Sequence, residues 1–208
     1  MSSSRFRTRQ PPALALAALL LVSPFVARAQ VALDMQASVG AATPTGFLRG
    51  EAGVGPAAQL AISGSIPYTP LAVRGSALGI VLGGRGDNLR RTSVAALGAD
   101  LVYKFRVAGV QPYLLLGPSF YLGRFTHRAS AAPVDPLVDV GGGSFFRGGF
   151  GAGGGVQAGH GRVRGFVEGT YHALRLENAY GDIVRPQFVA VSAGVQVELR
   201  KGRVTRHW

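Results

Sequence analysis

The sequence predicts an all-β fold, an eight-stranded antiparallel up-and-down transmembrane β-barrel preceded by a cleavable signal peptide. Three observations lead there. The N-terminus is laid out as an export signal, the rest of the chain stores its apolar residues in alternation, and the links between alternating segments are short and long by turns.

The export signal comes first. Arg5, Arg7 and Arg9 form a basic start, Ala13 to Val26 is an uncharged run of 14 residues, and Ala27-Arg28-Ala29 fits a small-residue cleavage site. A membrane helix needs roughly 20 apolar residues to cross the hydrocarbon core, so this run reads as a signal peptide over residues 1–29, with one barrel domain over 30–208. Loss of Arg5, Arg7, Arg9 and Arg28 lowers the net charge from +12 to +8. The 208 residues are 47% hydrophobic and only 15% charged, which suits one domain and excludes a disordered polyelectrolyte. With no cysteine there is no disulfide framework and no lipid-anchoring thiol.

Since no later stretch is long enough for a membrane helix, the hydrophobicity lies in period-two segments, the signature of strands with one apolar and one polar face. In the first, Leu33, Met35, Ala37, Val39 and Ala41 alternate with Asp34, Gln36, Ser38 and Gly40. The second, Glu51 to Ser63, sets Ala52, Val54, Ala58, Leu60 and Ile62 against Glu51, Gly53, Gln59 and Ser63. The third, Leu71 to Leu82, is mixed, because Leu78, Ile80 and Leu82 share the face of Arg74 and Ser76. The fourth, Thr92 to Arg106, lines up Leu97, Ala99, Leu101, Tyr103 and Phe105 opposite Asp100, Lys104 and Arg106.

The fifth, Gln111 to Leu122, places Leu114, Leu116, Phe120 and Leu122 opposite Tyr113, Gly117, Ser119 and Tyr121. The glycine-rich sixth, Phe145 to Ala158, opposes Phe146, Phe150 and Val156 to Arg147, Gly149, Gly151 and Gln157. The seventh, Arg162 to Leu174, separates Val163, Val167 and Tyr171 from Arg162, Arg164, Glu168, Thr170 and His172. The eighth, Gln187 to Leu199, is apolar at every odd position from Val189 and small or polar at Ser192, Gly194, Gln196 and Glu198. Pro56 and Pro118 predict a bulge or a strand end, because proline cannot donate to a ladder.

The apolar faces so defined hold no charge, as lipid requires: Arg or Lys facing lipid near the midplane costs about 2–4 kcal/mol. A soluble lipocalin-like barrel has the reverse pattern, charged outside and apolar within. The polar faces collect Asp34, Asp100, Glu168 and Glu198 beside Arg74, Lys104, Arg147 and Arg164, a set suited to an interior ionic network. The links Gly64 to Pro70, Val107 to Val110 and Gly159 to Gly161 are short, whereas Thr43 to Gly50, Gly83 to Arg91, Gly123 to Ser144 and Arg175 to Pro186 are long. Outer-membrane barrels have this rhythm, with the short rim periplasmic. Eight strands leave an interior filled by side chains, so an open porin is not expected.

Gln111-Pro112-Tyr113-Leu114-Leu115-Leu116-Gly117 and Phe166-Val167-Glu168-Gly169-Thr170-Tyr171-His172 give the chain, over Val31 to about Arg200, a likeness. It resembles the small outer-membrane β-barrel proteins of the OmpA/OmpX type. That resemblance implies location in the cell outer membrane after export through the periplasm. It also implies that Ser192, Gly194, Val197 and Leu199 form the C-terminal signal read by the barrel-insertion machinery. The chain departs from the family in following Leu199 with Arg200 to His207 before Trp208. Lys201 and Arg203 would face lipid if the strand continued, so it is expected to stop at Arg200, with no peptidoglycan-binding domain beyond.

Sharper motifs give way to simpler readings. Gly149-x-Gly151-x-x-Gly154 matches a dinucleotide fingerprint as a string, but the required buried strand and following helix are missing. Arg85-Gly86-Asp87 matches an integrin-type adhesion tripeptide as a string, but by default it is turn chemistry, since Gly and Asp belong in a loop. His127, His160, His172 and His207 lack metal-ligand spacing, so no metal or cofactor is expected. His127 and Ser130 share the longest loop with Asp135 and Asp139, and His172 shares a face with Glu168. Neither set has the strand-borne His-x-Ser that eight-stranded lipid A deacylases resemble, so no enzyme is expected and a lipid-modifying enzyme is the alternative.

Of the 22 basic residues 20 are Arg, and Arg49, Arg85, Arg90, Arg91, Arg124, Arg128, Arg175 and Arg185 fall on or beside the long-loop rim. Arginine forks match phosphate geometry. The expected partners are therefore membrane lipids, with Arg90, Arg91, Arg124 and Arg128 contacting lipopolysaccharide phosphates; ordinary solvated loop charge is the other reading of the same residues. An exported barrel meets no nucleic acid, and a monomer is expected. The function expected is a structural or surface-interaction scaffold that works through its long extracellular loops.

Overall fold

The computed structural model describes residues 31–50, 52–85, 89–105, 107, 109–127, 144–174, 176–177 and 183–200. The predicted signal peptide, Arg106, Arg128, Arg175 and the tail with Lys201, Arg203 and Trp208 lie outside the described residues, as does most of the longest loop.

Eight long strands close on themselves: β1 (Leu33–Thr45), β2 (Gly55–Ser65), β3 (Leu71–Gly83), β4 (Leu89–Lys104), β5 (Val110–His127), β6 (Ser144–Ala158), β7 (Val163–Leu174) and β10 (Gln187–Arg200). A short 3₁₀ turn, Gly46–Arg49, follows β1, and a two-residue ladder, β8 (Leu176–Glu177) with β9 (Ile183–Val184), sits in the link from β7 to β10. Each long strand pairs antiparallel with its neighbours in the chain, and β10 returns to β1 through Asp34↔Glu198, Val39↔Ala193 and Thr45↔Gln187. Closure leaves none of the eight long strands as an edge, the condition for a sheet to sit in lipid.

Alternation along the strands becomes inside and outside. Leu60 is 63% exposed, Leu97 66% and Phe120 56%, whereas Asp34, Arg74, Asp100 and Glu168 are buried. A band of Val, Leu, Ile and Phe therefore covers the outside, and the charges face the lumen. Water would not tolerate so large an exposed apolar surface, which rules out the soluble lipocalin-like arrangement.

The short turns carry left-handed glycines, Gly109 (φ 81°) and Gly161 (φ 74°), which let them reverse the chain tightly. At the other rim the strands run further than alternation indicated: β5 continues to His127 and Gly83 pairs with Arg91. Arg90, Arg91 and Arg124 therefore lie in strands, beyond the membrane-facing residues. Ala52 corrects the expected second strand. It is buried and bridges Gly84, because β2 begins only at Gly55 and the alternation does not run unbroken across Gly53 and Val54.

Pro56 stands at the start of β2, as anticipated. Pro118 makes no bulge. The β4–β5 ladder skips from Gly98↔Ser119 to Leu101↔Leu116 without changing register, and the missing N–H is absorbed by that gap.

The lumen has two storeys. Toward the long loops it is apolar, with Leu78, Ile80, Leu82, Val94, Leu174 and Phe188 in one buried cluster. This resolves the mixed face of the third strand: Arg74 and Leu82 both point inward, at different heights. Toward the short turns the lumen is polar. The six-residue glycine string lies in β6, where an added Cβ at Gly149 would come 2.8 Å from Tyr121 and one at Gly155 would meet the Tyr113 ring. These glycines make room for two tyrosines inside a narrow barrel, and no helix follows them.

Candidate functional site

The lower storey is organised by Arg74 of β3, 2% exposed. Its Nε and Nη2 each donate to Asp100 Oδ2 at 3.1 Å, a residue that it also faces across the β3–β4 ladder. Its Nη1 spans the lumen to Glu168 Oε2 on β7, four strands away in the ring, at 2.5 Å. Tyr113 donates to the same Glu168 oxygen at 2.8 Å, and Ser76 donates to Asp100 at 3.4 Å. One cation thus holds two carboxylates, and charge-assisted bonds of this kind are the strong ones.

Nearer the short-turn rim Lys104 Nζ lies 3.5 Å from Asp34 Oδ2 and 3.5 Å from Ser65 Oγ. Gln36 donates to Gln196 at 2.8 Å, and Gln157 donates to Gln111. A cavity of about 10 Å³ between Gln36, Ser63, Arg74 and Tyr113 has no room for a solute larger than water. Above the triad, Tyr121 Oη lies 2.9 Å from His172 Nδ1 and His172 Nε2 lies 3.1 Å from Thr170 Oγ1. Phe188 stacks on His172 with ring centroids 4.8 Å apart. His172 is a clamped interior residue.

Of the eight residues expected to form the interior network, Asp34, Arg74, Asp100, Lys104 and Glu168 do so, as one triad and one pair. Arg147 does not. It pairs in the ladder with Tyr121 near the long-loop end, is exposed, and turns back to donate to the Phe146 carbonyl at 3.0 Å. Arg164 and Glu198 also stand apart, partly exposed, lining a mouth of about 240 Å³ at the short-turn rim with Asp34 and Lys104. Both sit too near the end of the barrel to be desolvated.

Tyr113 and the glutamine pairs were legible only as inward positions. Their partners lie 46 to 160 residues away in the chain, so spacing could not join them.

At the long-loop rim Arg49, Arg85, Arg91, Arg124 and Arg185 are exposed. Arg91 pairs in the ladder with Thr126 and Arg124 with Ser93, so the two arginines are diagonal neighbours on the outside of β4 and β5. Neither guanidinium bonds to a described residue. Arg90 is the second residue of β4, and Arg128 lies outside the described residues.

A closed eight-stranded barrel with charges within, an apolar exterior and basic residues at one rim defines a transmembrane β-barrel of the outer-membrane type. No protein-family model matches the sequence, and no curated protein matches it. Solved structures do share the fold. Neisserial surface protein A superposes with a TM-score of 0.60 at 18% identity, over 80% of this chain and 97% of that one. OprG of Pseudomonas aeruginosa gives 0.56 at 11% identity, over 83% and 100%. A major outer membrane protein of Thermus thermophilus gives 0.51 at 14%, over 81% and 99%. The chain thus has the architecture of the small outer-membrane barrels.

Proposed function

We propose that this protein is an outer-membrane scaffold whose barrel anchors a surface-interaction rim, and that it acts by binding, without catalysing a reaction or conducting solutes. The observation that carries this reading is the lumen, which among the described residues is blocked by the Arg74 triad in one storey and the Leu82–Phe188 cluster in the other. With the interior closed, the surface left for function is the long-loop rim and the lipid-facing wall. Arg90, Arg91, Arg124 and Arg128 contact lipopolysaccharide phosphates there, and Ser192, Gly194, Val197 and Leu199 engage the insertion machinery.

The test is refolding into vesicles with and without lipopolysaccharide, comparing the wild type with a variant carrying Gln at the four arginines. The reading expects lipopolysaccharide to speed wild-type folding only. An equal acceleration of both would remove the rim contact, and steady unitary conductance of the wild type in planar bilayers would remove the sealed scaffold.

A further inference from the structure

The outer wall is uneven. One row of laterally paired residues crosses five strands through Val39, Ala58, Gly79, Ala95 and Leu122 to Phe146 on the sixth. Small side chains at Ala193, Ala37, Ala58, Ala77, Gly79 and Ala95 leave a shallow trough that runs round the wall from β10 to β6, with Leu60, Leu97 and Phe120 along one side and Leu122 and Phe146 at its β6 end. The next row toward the long loops runs Val81, Ser93 and Arg124, and the one after it Gly83, Arg91 and Thr126. Two exposed arginines without described partners therefore stand directly over the trough, roughly 7–8 Å apart at the backbone as diagonal neighbours.

We infer that this trough is a binding site for one phosphorylated, multiply acylated lipid of the outer leaflet, of the lipid A type. An acyl chain lies over Ala58, Gly79 and Ala95, and a phosphate is held between the guanidinium forks of Arg91 and Arg124. The inference rests on the proposed rim contact and adds to it a defined seat for the lipid's acyl part.

Charge selects the occupant. Two copies of the barrel inserted the same way place their rims at one height, so a second copy seated in the trough would bring arginines against arginines, a repulsion that opposes the contact. A bare hydrocarbon would fill the trough and leave the forks unused. A lipid with phosphate at the depth of Ser93 and chains below it satisfies both.

Native mass spectrometry of barrel released from vesicles of diphosphoryl lipid A mixed with phosphatidylglycerol tests this. Three proteins are compared: wild type, a filled trough (Gly79→Leu with Ala95→Leu) and a neutralised rim (Arg91→Gln with Arg124→Gln). An added Cβ at Gly79 meets nothing within 4 Å, so the filling points into open space. Heat-modifiable migration verifies that each has folded.

The wild type is expected to retain one lipid A in preference to phosphatidylglycerol. Each variant is expected to lose roughly tenfold or more in retention, the effect of removing charge-assisted bonds or their apolar seat. If the filled trough retains lipid A like wild type while the neutralised rim does not, the trough is overturned and the rim contact stands. If neither variant changes retention, both fall. Equal retention of phosphatidylglycerol, or a dimer abolished by filling the trough, would overturn the assignment in favour of an unselective lipid groove or a second copy.

Discussion

Replacing Arg74 with Leu should be among the most damaging single changes to this barrel. The guanidinium is buried, spans the lumen and is the cation that holds Asp100 and Glu168. Without it two carboxylates remain in one closed chamber with only the hydroxyls of Tyr113 and Ser76 for company. Removing one partner of a buried pair costs about 3–5 kcal/mol, and with two anions stranded the upper part of that range is expected.

Glu168→Gln should behave differently. It removes one negative charge from a cluster of one cation and two anions, leaves the Arg74–Asp100 pair intact and keeps an oxygen that accepts from Arg74 and Tyr113. Its cost should be about 1 kcal/mol, that of an ordinary hydrogen bond weakened. Converting the triad to apolar residues together, Arg74→Met with Asp100→Leu and Glu168→Met, should restore most of the loss, since a buried ionic cluster is worth little more than a well-packed apolar one. Urea titration of protein refolded in vesicles, followed by far-ultraviolet dichroism and by the unboiled gel band, measures all three. An Arg74→Leu midpoint within about 1 kcal/mol of wild type, or equal to that of Glu168→Gln, would refute the triad as the interior strut.

Other consequences can be checked on the same preparation. Leu60→Arg, on the outside of β2 at mid-length, should cost about 2–4 kcal/mol in the urea titration, because the charge would face the hydrocarbon core. Gly117→Ala should cost about 1–3 kcal/mol, since its Cβ would meet the Ala99 carbonyl and lie 2.7 Å from Asp100 Cα. Gly75→Ala has nothing within 4 Å and should be neutral or stabilising by about 0.4–1 kcal/mol. Reversal of that order would contradict the close approach of β4 and β5. In this cysteine-free chain, Val39→Cys with Ala193→Cys should cross-link on oxidation and shift the boiled band, because the two face each other on the outside where β10 meets β1. A register slipped by one residue would put them on opposite faces and leave them reduced.

Alternation was enough to read each strand's inward and outward faces, because the pleat forces a period of two wherever one side meets lipid and the other a crowded lumen. Asp34, Asp100, Lys104 and Glu168 were placed inward on that ground, and Arg74 was recognised despite the leucines on its face. The rim arginines were legible for a related reason: charge excluded from the wall must collect at its ends. What failed was height. Arg147 has inward parity like Glu168, but it lies in the fourth position of β6, where the lumen opens to solvent, and parity carries no information about depth.

The sequence alone determined the number of long strands, the closing partner of the last strand, the side on which the strand residues fall apart from Ala52, and the cluster of arginines at the long-loop rim, since all of these follow from local spacing and order. The tertiary structure decided which inward residues meet. Arg74 reaches Glu168 across 94 residues of chain because β3 and β7 stand opposite one another in a ring of eight, and Tyr121 reaches His172 across 51. It also decided that the lumen divides into an ionic and an apolar storey and that the wall carries a trough beneath Arg91 and Arg124. Those features arise from the stagger of neighbouring strands, which sets the heights at which distant residues share a row, and no single strand encodes its own height.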